Sequence, residues 1–325
     1  MRKEKKSVLR NKLIQGMTRI FICGTCLFSL TACEKKVETE RSYEQAKIPV
    51  TQEPAAPDSE NVQEAAPPDI AVTDIPAKSL ISMEGKTILE RFDVPQGFTR
   101  AKSEEGAFAC YLQNLPLKEA GAKVKYYDGR EKQKNVYLAV VDFSLGERDL
   151  QQCADAVIRL RAEYLYSVER YEDINFNFVS GFQAQFSKWA AGNGISVNGN
   201  QVSWSTNSKN NSSYESFQKY LDIVYAYAST LSLEKELKEK PFSDLAIGDV
   251  FIQGGAPGHC VIVVDMAVKE QTGEKIFMLA QSYMPAQDIQ ILKGDKDDSP
   301  WFSANIEETL NTPEWTFQVL DLRTW

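Results

Sequence analysis

Residues 248–267, with the sequence GDVFIQGGAPGHCVIVVDMA, place the strongest constraint on how this chain can fold. A loop of glycine, alanine and proline is followed by His259 and then by five apolar residues in a row. An apolar run without polar alternation is typical of a strand that is buried on both faces. The sequence therefore predicts a central strand at residues 260–268, with His259 at its N-terminal end.

His259 is the only histidine in the chain. No other side chain titrates near neutral pH with an unperturbed pKa, so a general base of this kind would be His259. A loop held by a rigid strand is a common place for functional residues. A polar strand-end residue without a chemical role is the alternative interpretation.

Turn residues and alternating apolar positions predict more strands around this one. The further strands are expected at residues 250–253, 275–281 and 289–292, with a turn at Thr272-Gly273. Upstream, Asp128-Gly129 is typical of a hairpin turn, and strand-like runs flank it at residues 124–127 and 136–143.

Two long helices are expected before the strands. In DLQQCADAVIRLRAEYLY, apolar residues recur at helical spacing, and Asp149 is the expected N-cap. A second helix is predicted at residues 214–231 from its one apolar face. Helices followed by an antiparallel strand meander make the predicted fold class α+β.

The N-terminus has the features of a secretory signal. Seven basic residues precede an apolar core at residues 20–30, which is too short to span a membrane. The core ends in Leu30-Thr31-Ala32-Cys33, which resembles the bacterial lipobox. The resemblance implies that residues 1–32 are a signal peptide and that Cys33 is lipidated. An uncleaved N-terminal anchor is the alternative.

The chain then divides into a tether and a folded part. Residues 33–86 are polar and rich in proline, alanine and glutamate, so they are expected to be a disordered tether. Residues 87–325 are expected to form a single α+β domain, because no proline- or glycine-rich break interrupts them.

The charge balance restricts the partners. Loss of residues 1–32 would change the formal net charge from −8 to −14, since seven basic residues and one acidic residue leave. An acidic surface argues against nucleic acid as a partner. Attachment to a bacterial membrane, on its periplasmic or surface side, is therefore expected through the lipid on Cys33.

Three cysteines remain in the folded part, namely Cys110, Cys153 and Cys260. They cannot all pair within one molecule, so at least one thiol is expected to be free or to pair between molecules. One histidine with scattered thiols falls short of a tetrahedral zinc site, and no metal or cofactor is expected.

Cys153 and His259 are the candidate catalytic pair. Cys153 lies near the N-terminus of a predicted helix, where the helix dipole favours a thiolate, although packing on the apolar helix face is the alternative. A helix-borne cysteine, then a strand led by Gly248-Asp249, then a strand opened by histidine resembles NlpC-type papain-like cysteine hydrolases.

That resemblance implies a papain-like fold and a third polar residue on the strand after the histidine. Gln281 fits this position, and it would hold the His259 ring. Counting along the hairpin from Thr272 instead indicates residues 284–287, which makes Gln287 the alternative.

Most of the folded part also resembles a bacterial lipoprotein family known only as a domain of unknown function, of the type numbered 4846. The segments DLQQCADAVIRLRAEYLY, PGHCVIVVDM and LAQSYMPAQDI carry this resemblance. It implies no established activity.

These observations lead to two functional hypotheses. The first is a lipid-anchored thiol hydrolase of the cell envelope, an amidase or peptidase acting on peptidoglycan peptides. The second is a non-catalytic envelope lipoprotein that binds a glycan or peptide. Trp189, Trp204 and Trp301 would then line its cleft, although core packing is the alternative for each.

Overall fold

The structure is a computed structural model, and it describes residues 79–325. The predictions for residues 1–32, for Cys33 and for most of the tether lie outside the described residues. Within residues 79–325, no helix combines the length and apolar character needed to cross a membrane.

The described chain mixes short helices with antiparallel strands, and the predicted α+β class is confirmed. The helices are α1 Ile88–Arg91, α2 Phe108–Gln113, α3 Cys153–Ser167, α4 Phe186–Ala190, α5 Tyr214–Tyr227 and α6 Thr230–Glu236. The strands are β1 Thr99–Arg100, β2 Tyr137–Val140, β3 Asn175–Asn177, β4 Gln183–Gln185, β5 Gly194–Asn198, β6 Gln201–Ser205, β7 Lys238–Glu239, β8 Val250–Gln253, β9 His259–Lys269, β10 Glu274–Gln281, β11 Gln290–Leu292, β12 Phe302–Ser303, β13 Thr309–Asn311, β14 Thr316–Gln318 and β15 Leu322–Thr324. Single turns of 3₁₀ helix lie at Tyr171–Asp173, Phe242–Asp244 and Val319–Asp321.

One large antiparallel sheet organises these elements. Its strand order is β2-β11-β10-β9-β8-β15-β7, with β1 paired to β9 and β12 paired to β10. Strands β8 to β11 are neighbours in chain order, which is the predicted meander. Separate hairpins form from β3 and β4, from β5 and β6, and from β13 and β14.

Strand β9 is the centre of the sheet, as its apolar sequence predicts. Its first nine residues are buried, and they are covered from both sides. Cys260, Ile262 and Val264 belong to the core that includes α3, and we call this side the helix face. Val261 and Val263 belong to a second core with Phe317 of β14 and Leu310 of β13, and we call this side the hairpin face.

The upstream hairpin forms about its predicted turn, but its second arm is not the predicted run. Lys125 bridges Glu131, and the Lys132 N–H donates to the Val124 carbonyl at 2.8 Å. Gly129 has a φ of 83°, and its N–H donates to the Tyr126 carbonyl at 2.9 Å. The second run does not pair with the first: β2 pairs with β11, with Val140 opposite Gln290. The reason is that an isolated two-stranded hairpin is marginal in water, whereas the edge of the large sheet offers burial.

Helix α3 begins later than predicted. Gln152, not Asp149, is its N-cap, and the Gln152 N–H donates to the Asp155 carboxylate at 3.0 Å. Asp149 instead accepts from the Gln152 side chain at 3.0 Å and from the Ala286 N–H at 2.7 Å. The consequence is that Cys153 is the first residue of the helix.

The predicted helix at residues 214–231 is two helices. Helix α5 ends at Tyr227, and Ala228 and Ser229 are extended. The Ser229 hydroxyl accepts from the Leu231 N–H at 3.1 Å and so caps α6. A serine that caps a new helix competes with continuation of the old one, which explains the break.

The fold also begins before the predicted domain boundary at residue 87. Ile81 bridges Phe92, and the Leu80 carbonyl accepts from the Asp93 N–H at 2.7 Å. The buried Arg91 side chain donates to the Gly85 carbonyl at 2.6 and 2.9 Å. Residues 79–86 therefore contribute contacts to the structure rather than belonging to a tether.

Candidate functional site

Cys153 lies at a cavity between the N-terminus of α3, the start of α6 and the loop before β9. The cavity has a volume of about 460 Å³, and its walls include Thr230, Gly258 and Met284 as well as Cys153. The Cys153 residue is only 4% exposed. The glycine loop before β9 and the buried thiol thus line the same cavity.

The loop at residues 254–258 is tied to α6, and glycine allows this close approach. The Glu234 carboxylate accepts from the Gly254 N–H at 3.0 Å. A Cβ at Gly258 would meet the Thr230 hydroxyl and would lie 2.7 Å from the Gly255 nitrogen. Only glycine fits such an approach of two backbone segments, so the loop composition reflects a packing requirement.

His259 is completely buried at the end of the sheet, with its ring on the hairpin face. Its Nε2 lies 2.9 Å from Gln281 Oε1. Aromatic rings surround it, with centroids at 4.7 Å for Tyr283, 5.5 Å for Trp315 and 5.9 Å for Phe317. The histidine is therefore held in one orientation by a hydrogen bond and by packing.

Burial controls the protonation of His259. Desolvation lowers the pKa of His259 from 6.5 to about 4, and this outweighs the hydrogen bond that His259 donates to Gln281 and the charge of Glu314, which raise it. The charge of Lys132 lowers it further. The imidazole is therefore neutral at pH 7, which is the form that can accept a proton.

A buried polar chain continues behind Gln281. Gln281 Nε2 donates to Glu314 Oε2 at 2.7 Å. The Lys132 ammonium lies 2.6 Å from the same oxygen, and Lys134 lies 3.6 Å from the other one. The order from the ring outward is thus His259, Gln281, Glu314 and Lys132.

The structure brings Gln281 rather than Gln287 to the histidine. The Gln287 side chain instead donates to the Pro285 carbonyl at 3.2 Å and accepts from Gln290 at 3.1 Å. An irregularity between Met278 and Leu279 shifts the β9–β10 register by one residue. Gln281 then reaches His259 diagonally, as long side chains can do across a strand pair.

Cys153 and His259 lie at the same end of the sheet but on different sides of it. Cys153 packs with Cys260 in the core on the helix face, whereas the His259 ring contacts Phe317 on the hairpin face. Within residues 79–325, His259 Nδ1 has no hydrogen-bond partner, so no hydrogen bond joins the thiol to the ring. A reaction between them requires the thiol to approach Nδ1.

The position of Cys153 at a helix start does not produce a thiolate. Desolvation raises the pKa of Cys153 from 9.0 to about 12, and its backbone hydrogen bond opposes this only in part. The charges of Asp155 and Glu314 raise it further. The expected effect of the helix dipole is therefore outweighed by burial.

The other two cysteines have separate surroundings. The described cysteines are all free, and Cys260 is completely buried on the helix face, opposite in direction to His259. Burial raises the pKa of Cys260 well above its ordinary value. Cys110 is partly exposed on α2.

The tryptophans proposed for a glycan or peptide cleft have other places. Trp189 and Trp301 are each 4% exposed, and their indole N–H groups donate to Ser216 and to the Asp93 carbonyl. Trp204 is partly buried against the helix-face core. The tryptophan beside His259 is Trp315, which the sequence reasoning did not select.

Sequence reasoning also missed Glu314, Lys132 and Tyr283. Tyr283 could have been found, because it lies two residues after Gln281 and so shares its side of an extended chain. No local sequence pattern marks Glu314 and Lys132 as site residues, since they lie in a turn and a loop that are far from His259 and Gln281 in the sequence. In residues 79–325, no three histidine, cysteine or acidic side chains are grouped closely enough to hold a metal ion.

Comparison with known proteins adds one match. A family model described as "Domain of unknown function (4846)" matches residues 88–324. No curated protein matches the chain, and no solved structure matches it either. The match covers α1 through β15, and so includes the whole of the candidate site.

Proposed function

The chain belongs to this family of unknown function, and we propose that it is a papain-like thiol hydrolase with Cys153 as nucleophile and His259 as general base. The observation that carries the proposal is the state of the His259 ring. Its Nε2 is engaged by Gln281 at 2.9 Å, while Nδ1 is buried and lacks a hydrogen-bond partner in the described chain. A neutral imidazole with one nitrogen held and the other open is arranged to accept a proton.

The two pKa values determine the kind of mechanism. With Cys153 at about 12 and His259 at about 4, the free protein holds a neutral thiol and a neutral imidazole at pH 7. This ordering favours a neutral pair over a preformed thiolate–imidazolium pair in the free protein. Proton transfer must therefore accompany attack on the substrate, as in hydrolases with a hydroxyl nucleophile.

The steps follow from this constraint. Cys153 Sγ attacks an amide carbonyl carbon while His259 Nδ1 takes the thiol proton. The Cys153 and Ala154 N–H groups at the start of α3 have no acceptor within the helix, so they can bind the oxyanion. The Asp155 N–H is instead capped by the Gln152 side chain. Return of the proton to the amine breaks the C–N bond and leaves a thioester. Water, deprotonated by His259, then releases the acid and restores the thiol.

The cavity suggests the substrate class. Asp155 and Tyr225 both line it, and each has a buried oxygen without a hydrogen-bond partner in the described chain. Burial raises the pKa of Asp155 well above its ordinary value. Beside the thiol, two polar side chains with buried oxygens that are unpaired within residues 79–325 suit the polar backbone of a peptide.

The location of the substrate depends on the lipid anchor. We retain as proposals the signal peptide at residues 1–32, lipidation of Cys33 and attachment to a bacterial membrane on its periplasmic or surface side. A protein held at this place would meet peptidoglycan peptides, which are therefore the first substrates to try.

A second candidate is favoured by a specific observation. The thiol and the imidazole are buried on different sides of the sheet and share no hydrogen bond in the described chain. A non-catalytic envelope lipoprotein that binds a peptide or glycan in the Cys153 cavity would need no such contact. This candidate predicts binding without turnover.

The test separates the two candidates. The full-length protein is incubated with peptidoglycan stem peptides, and mass spectrometry follows cleavage and the thioester adduct. We expect cleavage by the wild type and by Cys110→Ala, and none by Cys153→Ala or His259→Ala. Cleavage that persists in Cys153→Ala would refute the nucleophile. Peptide binding without cleavage in every variant would establish the binding protein.

A further inference from the structure

The orientation of the Gln281 amide decides where His259 carries its proton. The amide has two different neighbours: Glu314 Oε2 lies 2.7 Å from Nε2, and His259 Nε2 lies 2.9 Å from Oε1. An ionised carboxylate can only accept hydrogen bonds, so the amide atom nearest to Glu314 must be the NH₂ group. The amide carbonyl then faces the ring.

Lys132 ensures that Glu314 acts only as an acceptor. Its ammonium lies 2.6 Å from Glu314 Oε2, with side chains 3% and 9% exposed for Lys132 and Glu314. An oxygen that accepts from both an ammonium and an amide has no room for a proton of its own. Lys134 places a second positive charge 3.6 Å from the other carboxylate oxygen.

The geometry points to Glu314, held by Lys132, as a positioning residue that sets the tautomer of His259 through Gln281. Because Gln281 Oε1 can only accept, the neutral imidazole must carry its proton on Nε2. The lone pair is then on Nδ1, the nitrogen without a partner in residues 79–325. The tautomer does not depend on enzymatic activity, whereas its use in proton transfer from Cys153 rests on the proposed function.

The single histidine makes this assignment directly measurable. In protein grown with isotope-labelled histidine, nitrogen NMR at pH 7 reports one imidazole, that of His259. We expect a protonated Nε2 and an unprotonated Nδ1 in the wild type. In Glu314→Gln the new amide offers both a donor and an acceptor, so the Gln281 side-chain amide can rotate by half a turn and exchange its oxygen and nitrogen. Both ring resonances should then shift toward the average of the two tautomers.

Asp288→Asn is the matched control. Asp288 is another buried carboxylate paired with a lysine, at 3.0 Å from Lys118, and it also accepts from the Lys125 N–H at 2.9 Å. The substitution removes the same charge from the same kind of ion pair, but away from Gln281. It should leave the His259 resonances where they are in the wild type.

Three results would overturn the inference: a proton on Nδ1 in the wild type, an unchanged tautomer in Glu314→Gln, or an equal shift in the control. Glu314→Gln leaves the Lys132 charge buried and alone, which can prevent folding. The double variant Lys132→Met with Glu314→Gln removes both charges, and the same resonance shift is expected. A correct tautomer with no peptide cleavage would reject the hydrolase while retaining the positioning role.

Discussion

Strand β9 contains two buried polar side chains, His259 and Asp265, and the fold treats them differently. Asp265 is fully buried, and both of its oxygens face a polar partner: Gln113 and the Met266 N–H donate to Oδ1 at 2.7 and 2.9 Å. Oδ2 lies 2.8 Å from the Arg100 guanidinium, an ion pair without hydrogen-bond geometry. His259 is equally buried, yet one of its ring nitrogens is open within the described chain.

The difference teaches how to separate a structural polar group from a candidate functional one. A closed network offsets the cost of burying a charge and holds neighbouring segments together. A buried acceptor without a partner costs about 1–3 kcal/mol and contributes nothing to folding. Local rules of folding are most often broken at functional sites, which favours His259 over Asp265 as the chemical residue.

The largest effect is expected from breaking the closed network. Asp265→Ala would leave the Arg100 guanidinium and the Gln113 amide without their buried acceptor. Loss of one member of such a pair should lower the free energy of unfolding by about 3–5 kcal/mol. Urea unfolding at pH 7 measures this. A loss as small as that of a surface substitution would show that the network is not structural.

The second largest effect is the loss of stability at acid pH that results from burial of His259. The pKa of His259 is about 4 in the folded protein against 6.5 ordinarily, so the folded state binds fewer protons between these values. The stability linked to neutral His259 is present above pH 6.5 and is lost as the pH falls to 4. The loss is roughly 3 kcal/mol.

His259→Leu should not show this acid loss, and the comparison with the wild type isolates it. The comparison is needed because Glu236 acts in the opposite direction. Burial raises the pKa of Glu236 to about 7, so its contribution is lost as the pH rises from 4.5 to 7. Unfolding curves at several pH values provide the data. Parallel curves for the two proteins would mean that His259 titrates normally.

A third experiment extends the comparison to another closed group, the buried Arg91. A chain that begins at Thr87 lacks the Gly85 carbonyl, which accepts two hydrogen bonds from Arg91. A chain that begins at Ser79 retains it. The shorter chain should be less stable by about 2 kcal/mol, the cost of an unpaired buried charged donor. Equal melting temperatures would restore residues 79–86 to the tether.

The smallest effect is expected from His259→Leu at pH 7. The substitution removes one hydrogen bond, to Gln281, and keeps apolar contact with Tyr283, Trp315 and Phe317. The substitution leaves Gln281 Oε1 without its donor but also removes the open Nδ1, so the two costs oppose each other and the free energy of unfolding should change by about 1 kcal/mol or less. A loss as large as that of Asp265→Ala would show that His259 is a structural residue like Asp265.

The sequence predicted secondary structure best where the local pattern of apolar and turn residues matches the burial in the fold. The strand at residues 250–253 has the predicted bounds, and the turn at Thr272-Gly273 is present, with Gly273 at a φ of 74°. Sequence reasoning failed where a strand could pair either with a neighbouring run or with a strand distant in the chain. The run at residues 136–143 looked like half of a hairpin, but β2 pairs with β11.

The choice of Gln281 came from the resemblance to papain-like hydrolases, because counting along the hairpin indicated residues 284–287. By itself the sequence determined the α+β class and the central strand after His259. These are properties of adjacent residues, because strand periodicity and turn chemistry act over a few positions. They follow from the chain without knowledge of what packs against it.

Only the tertiary structure decided the state of the site. Glu314 reaches Gln281, and Lys132 reaches Glu314, from segments distant in the chain. No local sequence pattern predicts such contacts. The helix start at Cys153 predicted a thiolate, yet burial raises the pKa of that thiol to about 12. Desolvation depends on everything that surrounds a group, and that is set by packing rather than by neighbours in sequence.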